Sequence, residues 1–471
     1  MRVIYLAFLF TLFWRFGKAL ARLRGGRFPL SPILGWMVGL GYFILAPVTL
    51  LVLNGGYTIP AFYNSNSSYA SVDLSNGTYF LPMLVVWLSL LSSFQAVIAL
   101  SPDSLNNGPT VELSVNNRML KRILLLTFGM DFVGYFVTIW ASGGMEAFLV
   151  SHWYHRQEEM FGSLGDLYVL YLRLSLANSI IFTAAAAVYT AQHLKCQKVE
   201  WRFSAFIVFA LLLQMVMSGN RIFIALYGLA FLTSCWTYRR KKIIAALLII
   251  SPAIILLFSA WAYFRHDLST IAEDIPTYVE ADLGNRAMTT LMDTTEGASV
   301  MQLLHIVNDF GDKFDYFYGL SYSKAVTFVL PRRLYPNKPQ NFPVLIARLY
   351  EPGEDTSLGT TQLGELYANF GVLSVLLLPF VTVLILLLSD RLAQRIERHA
   401  LLSAVLFLLL IWFARSSFED NFITFLFAWI LIWGLSLEQS LCFPSERRRA
   451  SALEASCRRG PWRAAVGGSI R

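Results

Sequence analysis

Residues 366–388 read LYANFGVLSVLLLPFVTVLILLL and carry no charged side chain. A helix needs about 20 mostly apolar residues to cross the hydrocarbon core of a bilayer, so this run predicts a membrane-spanning helix. The whole chain has the same character. Of its 471 residues, 56% are hydrophobic and 14% are charged, whereas soluble domains carry about 25% charged residues. The sequence therefore predicts an all-α polytopic membrane protein.

About eleven stretches have the length and composition of a membrane span. They centre on residues 3–16, 33–53, 79–100, 123–140, 167–189, 203–217, 222–236, 243–264, 366–388, 401–413 and 422–437. This pattern divides the chain into four parts. Residues 1–264 hold eight spans, residues 265–365 form one large polar loop, residues 366–440 hold three more spans, and residues 441–471 form a basic tail.

Lysine and arginine are concentrated in every second loop, and the loops between them are nearly free of both. Basic clusters follow the first, third, fifth, seventh, ninth and eleventh spans; residues 54–78 contain no Lys or Arg. Because positive loops stay in the cytoplasm, the N-terminus is predicted to lie outside and the C-terminus inside. The large loop then faces outward. The net charge of +8 follows from this topology and does not indicate a nucleic-acid partner.

No metal or cofactor is predicted. The four cysteines show no metal-site spacing and lie at or near the predicted cytoplasmic side, where free thiols are expected: Cys196, Cys235, Cys442 and Cys457. His152 and His155 precede two glutamates in an aromatic stretch, residues 144–161, that could lie as an amphipathic helix at the headgroups. The spacing singles out no third distant ligand. No nucleotide-binding glycine loop is present.

Several outward-facing cations could bind an anion. Arg221 follows Ser218-Gly219-Asn220 where two spans meet with almost no loop; it either anchors the chain at the headgroups or binds an anion at the membrane surface. Arg332, Arg333 and Lys338 lie in a proline-rich run of the large loop. Prolines restrict this backbone, and guanidinium forks match phosphate oxygens. The alternative is a solvated basic turn that touches lipid phosphates.

A carboxylate enters the ninth span at Glu365, four residues before Asn369, so both are predicted on one helix face. Glu365 is a candidate general base or simply a first-turn acid that the helix dipole favours. Arg415 precedes Glu419 and Asp420 and either binds substrate or forms an internal ion pair. The remaining substrate-binding candidates are His152, Arg156, Arg286, Tyr335 and Arg348.

Three of these places together resemble the Wzy-like polymerases of O-antigen and oligosaccharide repeat units. They are Ser218-Gly219-Asn220-Arg221, the run Pro331-Arg332-Arg333 to Pro336-Asn337-Lys338-Pro339, and Gly364-Glu365-Leu366-Tyr367-Ala368-Asn369-Phe370-Gly371. The plan of about eleven or twelve spans with one large late loop resembles the same family over most of the chain. The long basic tail after Phe443 departs from it and receives no role.

The resemblance implies a GT-C-like fold and a metal-independent glycosyltransferase of the bacterial inner membrane. Such an enzyme moves a growing glycan from undecaprenyl pyrophosphate onto an incoming lipid-linked repeat unit, building O-antigen, capsule or exopolysaccharide. The implied partners are that lipid-linked oligosaccharide and, in the same pathway, a chain-length regulator and a flippase. Arg221, Arg332, Arg333 and Arg415 would then stabilise the pyrophosphate leaving group, and Glu365 would take the acceptor proton. Aromatic side chains of the loop could stack on sugars: Tyr316, Phe317, Tyr318, Tyr322, Tyr335 and Tyr350.

Three other functions fit the same hydropathy plan. An O-antigen ligase has the same donor and fold class, but the proline-rich run around Lys338 favours a polymerase. A transporter or flippase of lipid-linked glycan should show inverted repeats and polar mid-span groups; here Asp131 and Arg173 are the exceptions, and they could pair across helices. A structural scaffold would not need clustered outward arginines.

Overall fold

The structure is a computed structural model of the chain. It describes residues 1–24, 30–58, 71–75, 77–101, 117–141, 144, 165–195, 200–218, 223–233, 295–327, 335, 339–350, 358–394 and 396–442. The statements below concern these residues. The predicted span at residues 243–264 and the basic tail beyond residue 442 lie outside them.

Helices make up nearly all of the described chain. In the first half they are α1 (Arg2–Arg24), α2 (Pro32–Leu40), α3 (Ala46–Asn54), α4 (Phe80–Leu100), α5 (Asn117–Ala141), α6 (Gly165–Lys195), α7 (Trp201–Ser218) and α8 (Phe223–Thr233). In the second half they are α9 (Thr295–Asp309), α10 (Leu320–Thr327), α11 (Phe342–Tyr350), α12 (Gln362–Phe370), α13 (Ser374–Gln394), α14 (Ile396–Phe413) and α15 (Phe418–Cys442).

A short π-helical segment, a 3-10 turn and one strand pair accompany these helices. A π-helical turn, Gly41–Leu45, joins α2 to α3, and a 3-10 turn, Gly371–Leu373, joins α12 to α13. Strands β1 (Gly56–Thr58) and β2 (Ser71–Asp73) pair antiparallel, with Tyr57 opposite Val72.

Six stretches of the described helices are long and apolar enough to cross a membrane. They are Arg2–Leu23, Pro32–Asn54, Phe80–Leu100, Asn117–Trp140, Leu174–Leu194 and Gln362–Ala393. Four shorter apolar helices accompany them: Trp201–Val216, Phe223–Thr233, Leu401–Phe413 and Asn421–Ile430. The predicted class, an all-α polytopic membrane protein, is confirmed.

A pair of glycines lets α2 and α14 approach to backbone contact. A Cβ on Gly35 would lie 2.1 Å from the carbonyl oxygen of Phe407, and one on Gly39 would lie 2.8 Å from that of Ile411. Small residues four apart are the usual means by which membrane helices pack closely, since burying apolar surface gains little in lipid. On the same helix, the Trp36 indole N–H donates to Thr382 Oγ1 at 2.9 Å, which ties α2 to α13 as well.

A buried carboxylate in the candidate span Asn117–Trp140 connects α5, α6 and α7. Asp131 accepts hydrogen bonds from Gln214 Nε2 at 2.9 Å and from the hydroxyls of Ser175 and Ser179 at 3.3 Å each. These neutral donors lower the cost of a polar group in lipid. The side chain of Arg173, the predicted partner of Asp131, lies outside the described residues.

The large polar loop is helical over much of its described part. Apolar residues recur every three to four positions in residues 289–310, a pattern that predicts a helix packed on the bundle. Helix α9 confirms this for the described residues, with Val300, Leu303 and Ile306 fully buried. Helices α10 and α11 were not predicted, because each has fewer than ten residues and α10 also mixes polar with apolar residues. Helix α9 packs against α4 and α12.

Candidate active site

Glu365 is fully buried at the point where three elements of the chain meet. It lies in the first turn of α12, whose N-cap residue Thr361 accepts the amide N–H of Gly364 at 3.1 Å. The carboxylate Oε1 accepts the hydroxyl of Ser321 on α10 at 2.7 Å, and Oε2 accepts the amide N–H of Phe418 at 2.6 Å. Phe418 is the first residue of α15, so the carboxylate lies at that helix N-terminus, where negative charge is favoured.

Asn369 extends this network by one helical turn. Its amide nitrogen donates to Ser321 Oγ and to the backbone oxygen of Glu365, both at 2.8 Å. Its amide oxygen accepts the N–H of Gly319 at 2.9 Å. The predicted common face of Glu365 and Asn369 is therefore confirmed, and the two side chains share Ser321 as a partner.

Backbone hydrogen bonds to the end of α12 hold Tyr318 in an unusual backbone conformation. Its φ is +48°, which is rare for a bulky residue, and it is the one non-glycine residue of the described chain with positive φ. Backbone bonds hold it there: the N–H of Phe317 donates to Ala368 O at 2.9 Å and that of Tyr318 to Asn369 O at 3.2 Å. The Tyr318 side chain is nevertheless 79% exposed. Packing thus does not account for the strain.

A buried ion pair lies beside the Glu365 network. Lys324 is on α10, one turn after Ser321, and its Nζ lies 3.8 Å from Glu419 Oε1. Glu419 directly follows Phe418, whose N–H binds Glu365. Both residues are buried, so a cation and a second carboxylate belong to the same cluster.

Aromatic rings enclose this cluster. Tyr322 stacks on Phe370 with ring centroids 5.9 Å apart and meets Phe418 edge-on at 5.2 Å. Burial, together with the negative charge of Glu365, raises the pKa of the Tyr322 hydroxyl well above its usual value. Tyr322 therefore stays neutral at ordinary pH and can act only as an uncharged hydrogen-bonding group.

Arg415 lies on the turn between α14 and α15. Its guanidinium is 4.9 Å from the Trp412 ring centroid and 5.8 Å from that of Phe43, distances at which cation–π attraction operates. This turn also contacts the active-site helix, because the N–H of Gln362 donates to Ala414 O at 3.2 Å. Arg415 is thus placed one short turn from Phe418 and Glu419.

A second polar cluster lies along α9. His305 Nε2 lies 3.2 Å from Ser71 O and 3.4 Å from the Tyr79 hydroxyl. Asp309 accepts the Tyr350 hydroxyl at 3.0 Å and pairs with Lys313 at 2.8 Å. Burial lowers the pKa of His305, and the nearby Asp309 charge opposes this shift. Through these contacts the cluster connects α9 with β2, the start of α4 and α11.

The predicted site residues fall into three groups. Glu365, Asn369 and Arg415 lie on α12 and the turn before α15. Arg348 and Tyr335 are exposed, and within the described chain they make no hydrogen bond or ion pair with the Glu365 network. The others lie outside the described residues: His152, Arg156, Arg221, Arg286, Arg332, Arg333 and Lys338.

Sequence reasoning missed Ser321 and Lys324. Their spacing of three places them on one face of a helix, but the segment gives no sign of its partner, Glu365, which lies 44 residues later.

Among the described residues, no group of three His, Cys, Asp or Glu side chains is close enough to hold a metal ion.

Comparison with known families identifies one match. Residues 344–439 match the family model described as O-antigen polysaccharide polymerase Wzy, which confirms the resemblance predicted from the sequence. The matched range includes α12, α13 and α14 and most of α11 and α15, and thus Glu365, Asn369, Arg415 and Glu419. No curated protein and no solved structure matches the chain.

Proposed function

We propose, from this Wzy match, that the protein polymerises lipid-linked oligosaccharide repeat units into a surface polysaccharide. The observation that carries the proposal is that the matched range, residues 344–439, holds Glu365, Asn369 and Glu419 of the buried polar network. A helix with only a scaffold role would need only apolar packing there, whereas this one buries a carboxylate with donors from two other elements. Burying such groups is costly unless they are well paired, which favours a role in chemistry.

The proposed reaction transfers the growing glycan from undecaprenyl pyrophosphate to an incoming repeat unit. A sugar hydroxyl of the incoming unit attacks the anomeric carbon of the donor glycan, and the bond from that carbon to the diphosphate breaks. The hydroxyl proton passes to a base. Glu365 is our proposed base, with the Ser321 hydroxyl, 2.7 Å from Oε1, as the group through which the proton reaches it.

The departing diphosphate needs positive charge around it. Arg221, Arg332, Arg333 and Arg415 are proposed to supply it, with Lys338, Arg286, Arg348, His152 and Arg156 as further contacts to substrate. We place the reaction at the periplasmic face of the bacterial inner membrane, with the N-terminus periplasmic and the C-terminus cytoplasmic. A flippase that delivers the repeat units and a chain-length regulator are the proposed partners.

The experiment that tests this function uses the purified full-length protein and a purified lipid-linked repeat unit, without nucleotide and with EDTA present. A polymerase without a metal requirement gives a ladder of glycans that differ by one repeat unit. A ligase gives no ladder and extends only a lipid-core acceptor when one is added. Movement of the lipid across proteoliposomes without a ladder would instead identify a flippase. Either of the last two results overturns the proposal.

The strained, exposed ring of Tyr318 gives a separate prediction, if it stacks on a sugar of the substrate. Tyr318→Gly should relieve the strain and raise the free energy of unfolding by about 1 kcal/mol, because glycine adopts positive φ freely. The same variant should form ladders about tenfold more slowly, since it loses the ring. Thermal unfolding in detergent and the ladder assay measure the two effects.

Tyr318→Phe is the matched control for this prediction. It keeps both the ring and the strained backbone, so stability and ladder formation should stay close to those of the parent protein. A Tyr318→Gly protein that is more stable and fully active would show that the exposed ring has no role in binding.

A further inference from the structure

Lys324 is a nearly buried cation in the large loop. It lies on the inner face of α10 with Ser321 and Ala325, and its side chain keeps 11% of its surface exposed. A lysine in such a position loses most of its hydration, which costs free energy unless partners replace the water. The partners of its ammonium group therefore indicate what the position is for.

The one described partner does not satisfy the ammonium group. Glu419 Oε1 lies 3.8 Å from Lys324 Nζ, whereas a charge-assisted N–H···O bond measures about 2.7–2.9 Å. Among the described residues, Lys324 makes this single ion pair and no side-chain hydrogen bond. Glu419 thus balances the charge, while the three N–H donors of the ammonium group are left for another acceptor.

The position of Lys324 connects it to the proposed chemistry. Ser321, one turn earlier on α10, donates to Glu365, and Phe418, next to Glu419, donates to the same carboxylate. The two elements that hold Glu365 are therefore the two that carry the Lys324–Glu419 pair. An anion bound at the Lys324 ammonium group would therefore lie beside the Glu365 network.

We propose that Lys324 binds a phosphate oxygen of the lipid-linked diphosphate. This inference rests on the proposed function and adds a cation that the sequence did not reveal. An ammonium group is a compact point charge that suits phosphate oxygens. Glu419 holds the ammonium group in place before substrate arrives, and the 3.8 Å separation of Glu419 Oε1 from Nζ leaves the donors free to turn toward the diphosphate.

The simpler alternative is an internal ion pair whose only role is stability, and a double variant separates the two. Removing one partner of a buried pair leaves an uncompensated charge and destabilises the fold, so Lys324→Met alone is uninformative. Lys324→Met combined with Glu419→Gln removes both charges and is expected to fold. A matched control, Lys313→Met with Asp309→Asn, removes the other described lysine–carboxylate pair of the same loop.

If Lys324 binds the diphosphate, the Lys324→Met/Glu419→Gln protein should form ladders about 10- to 100-fold more slowly than the parent, as expected for the loss of one charge-assisted bond. The Lys313→Met/Asp309→Asn protein should form ladders within about twofold of the parent. Thermal unfolding of both proteins in detergent verifies that they are folded. A Lys324→Met/Glu419→Gln protein that is folded and as active as the parent would overturn the inference.

A binding measurement keeps this inference distinct from the proposed function. Inorganic pyrophosphate should raise the unfolding temperature of the parent and of the Lys313→Met/Asp309→Asn control, but not that of the Lys324→Met/Glu419→Gln protein. If the parent forms no ladder, the polymerase proposal fails, and this arm alone decides the inference. Equal stabilisation of all three proteins, or of none, would overturn it.

Discussion

Glu365→Gln is expected to lower the rate of ladder formation by about 10²- to 10⁴-fold, the range in which general acid–base groups contribute. The change replaces the proposed base with a neutral amide of nearly the same shape. It also places an NH₂ group against one of two donors, the Ser321 hydroxyl or the Phe418 amide, where the carboxylate accepted both bonds. The ladder assay on detergent-purified protein measures the effect.

The control for this prediction is Asp312→Asn. Asp312 lies in the turn that follows α9 and is exposed, so neutralising it should leave ladder formation unchanged. Because the amide of Glu365→Gln disturbs a buried network, its size-exclusion profile and unfolding temperature have to be compared with those of the parent. A folded Glu365→Gln protein that forms ladders at the parental rate would rule out Glu365 as the base.

Gly35→Ala is expected to cause the largest loss of stability among single-methyl additions to the described helices. The new Cβ would lie 2.1 Å from the Phe407 carbonyl oxygen. The obstacle is backbone, so no side chain can rotate away, and α2 and α14 have to separate. We expect a loss of about 3 kcal/mol or more, at the upper end of the usual cost of overpacking, and reduced ladder formation, since α14 leads into the turn that contacts Gln362.

Thermal unfolding in detergent measures this effect, with Gly17→Ala as the matched control. Gly17 lies within α1, and a Cβ there meets no atom within 4 Å. Alanine is favoured over glycine in helices by about 1 kcal/mol, so Gly17→Ala should be neutral or slightly stabilising. Equal unfolding temperatures for Gly35→Ala and the parent would show that α2 and α14 do not pack in this register.

The local sequence pattern predicted which segments are helical better than it predicted which helices contact one another. Runs of apolar residues predicted the membrane-spanning helices. Apolar residues spaced three to four positions apart predicted α9, and the four-residue spacing of Glu365 and Asn369 predicted their shared helix face. The sequence around Gly35 does not indicate that it contacts Phe407. The partner helix lies more than 350 residues later in the chain, and the close packing at Gly35 becomes visible only in the folded structure.

The candidate site was predictable only in part, because most of its contacts join residues that are far apart in the sequence. Glu365 stood out as a carboxylate at the mouth of an apolar helix. Ser321 and Lys324 did not, since they lie in a short helix of mixed polarity and their partners, Glu365 and Glu419, belong to α12 and α15. Tyr318 was one of several aromatic candidates, and only its backbone conformation in the folded chain distinguishes it from the others.

The central claim is that the Glu365 site lies on the outer face of the membrane, where lipid-linked repeat units are polymerised. Val326→Cys tests it directly, because Val326 is 80% exposed on α10 and the four native cysteines are predicted on the cytoplasmic side. A membrane-impermeant maleimide applied to intact spheroplasts should label the Val326→Cys protein and not the parent. Labelling of Val326→Cys only after the spheroplasts are lysed would contradict the account.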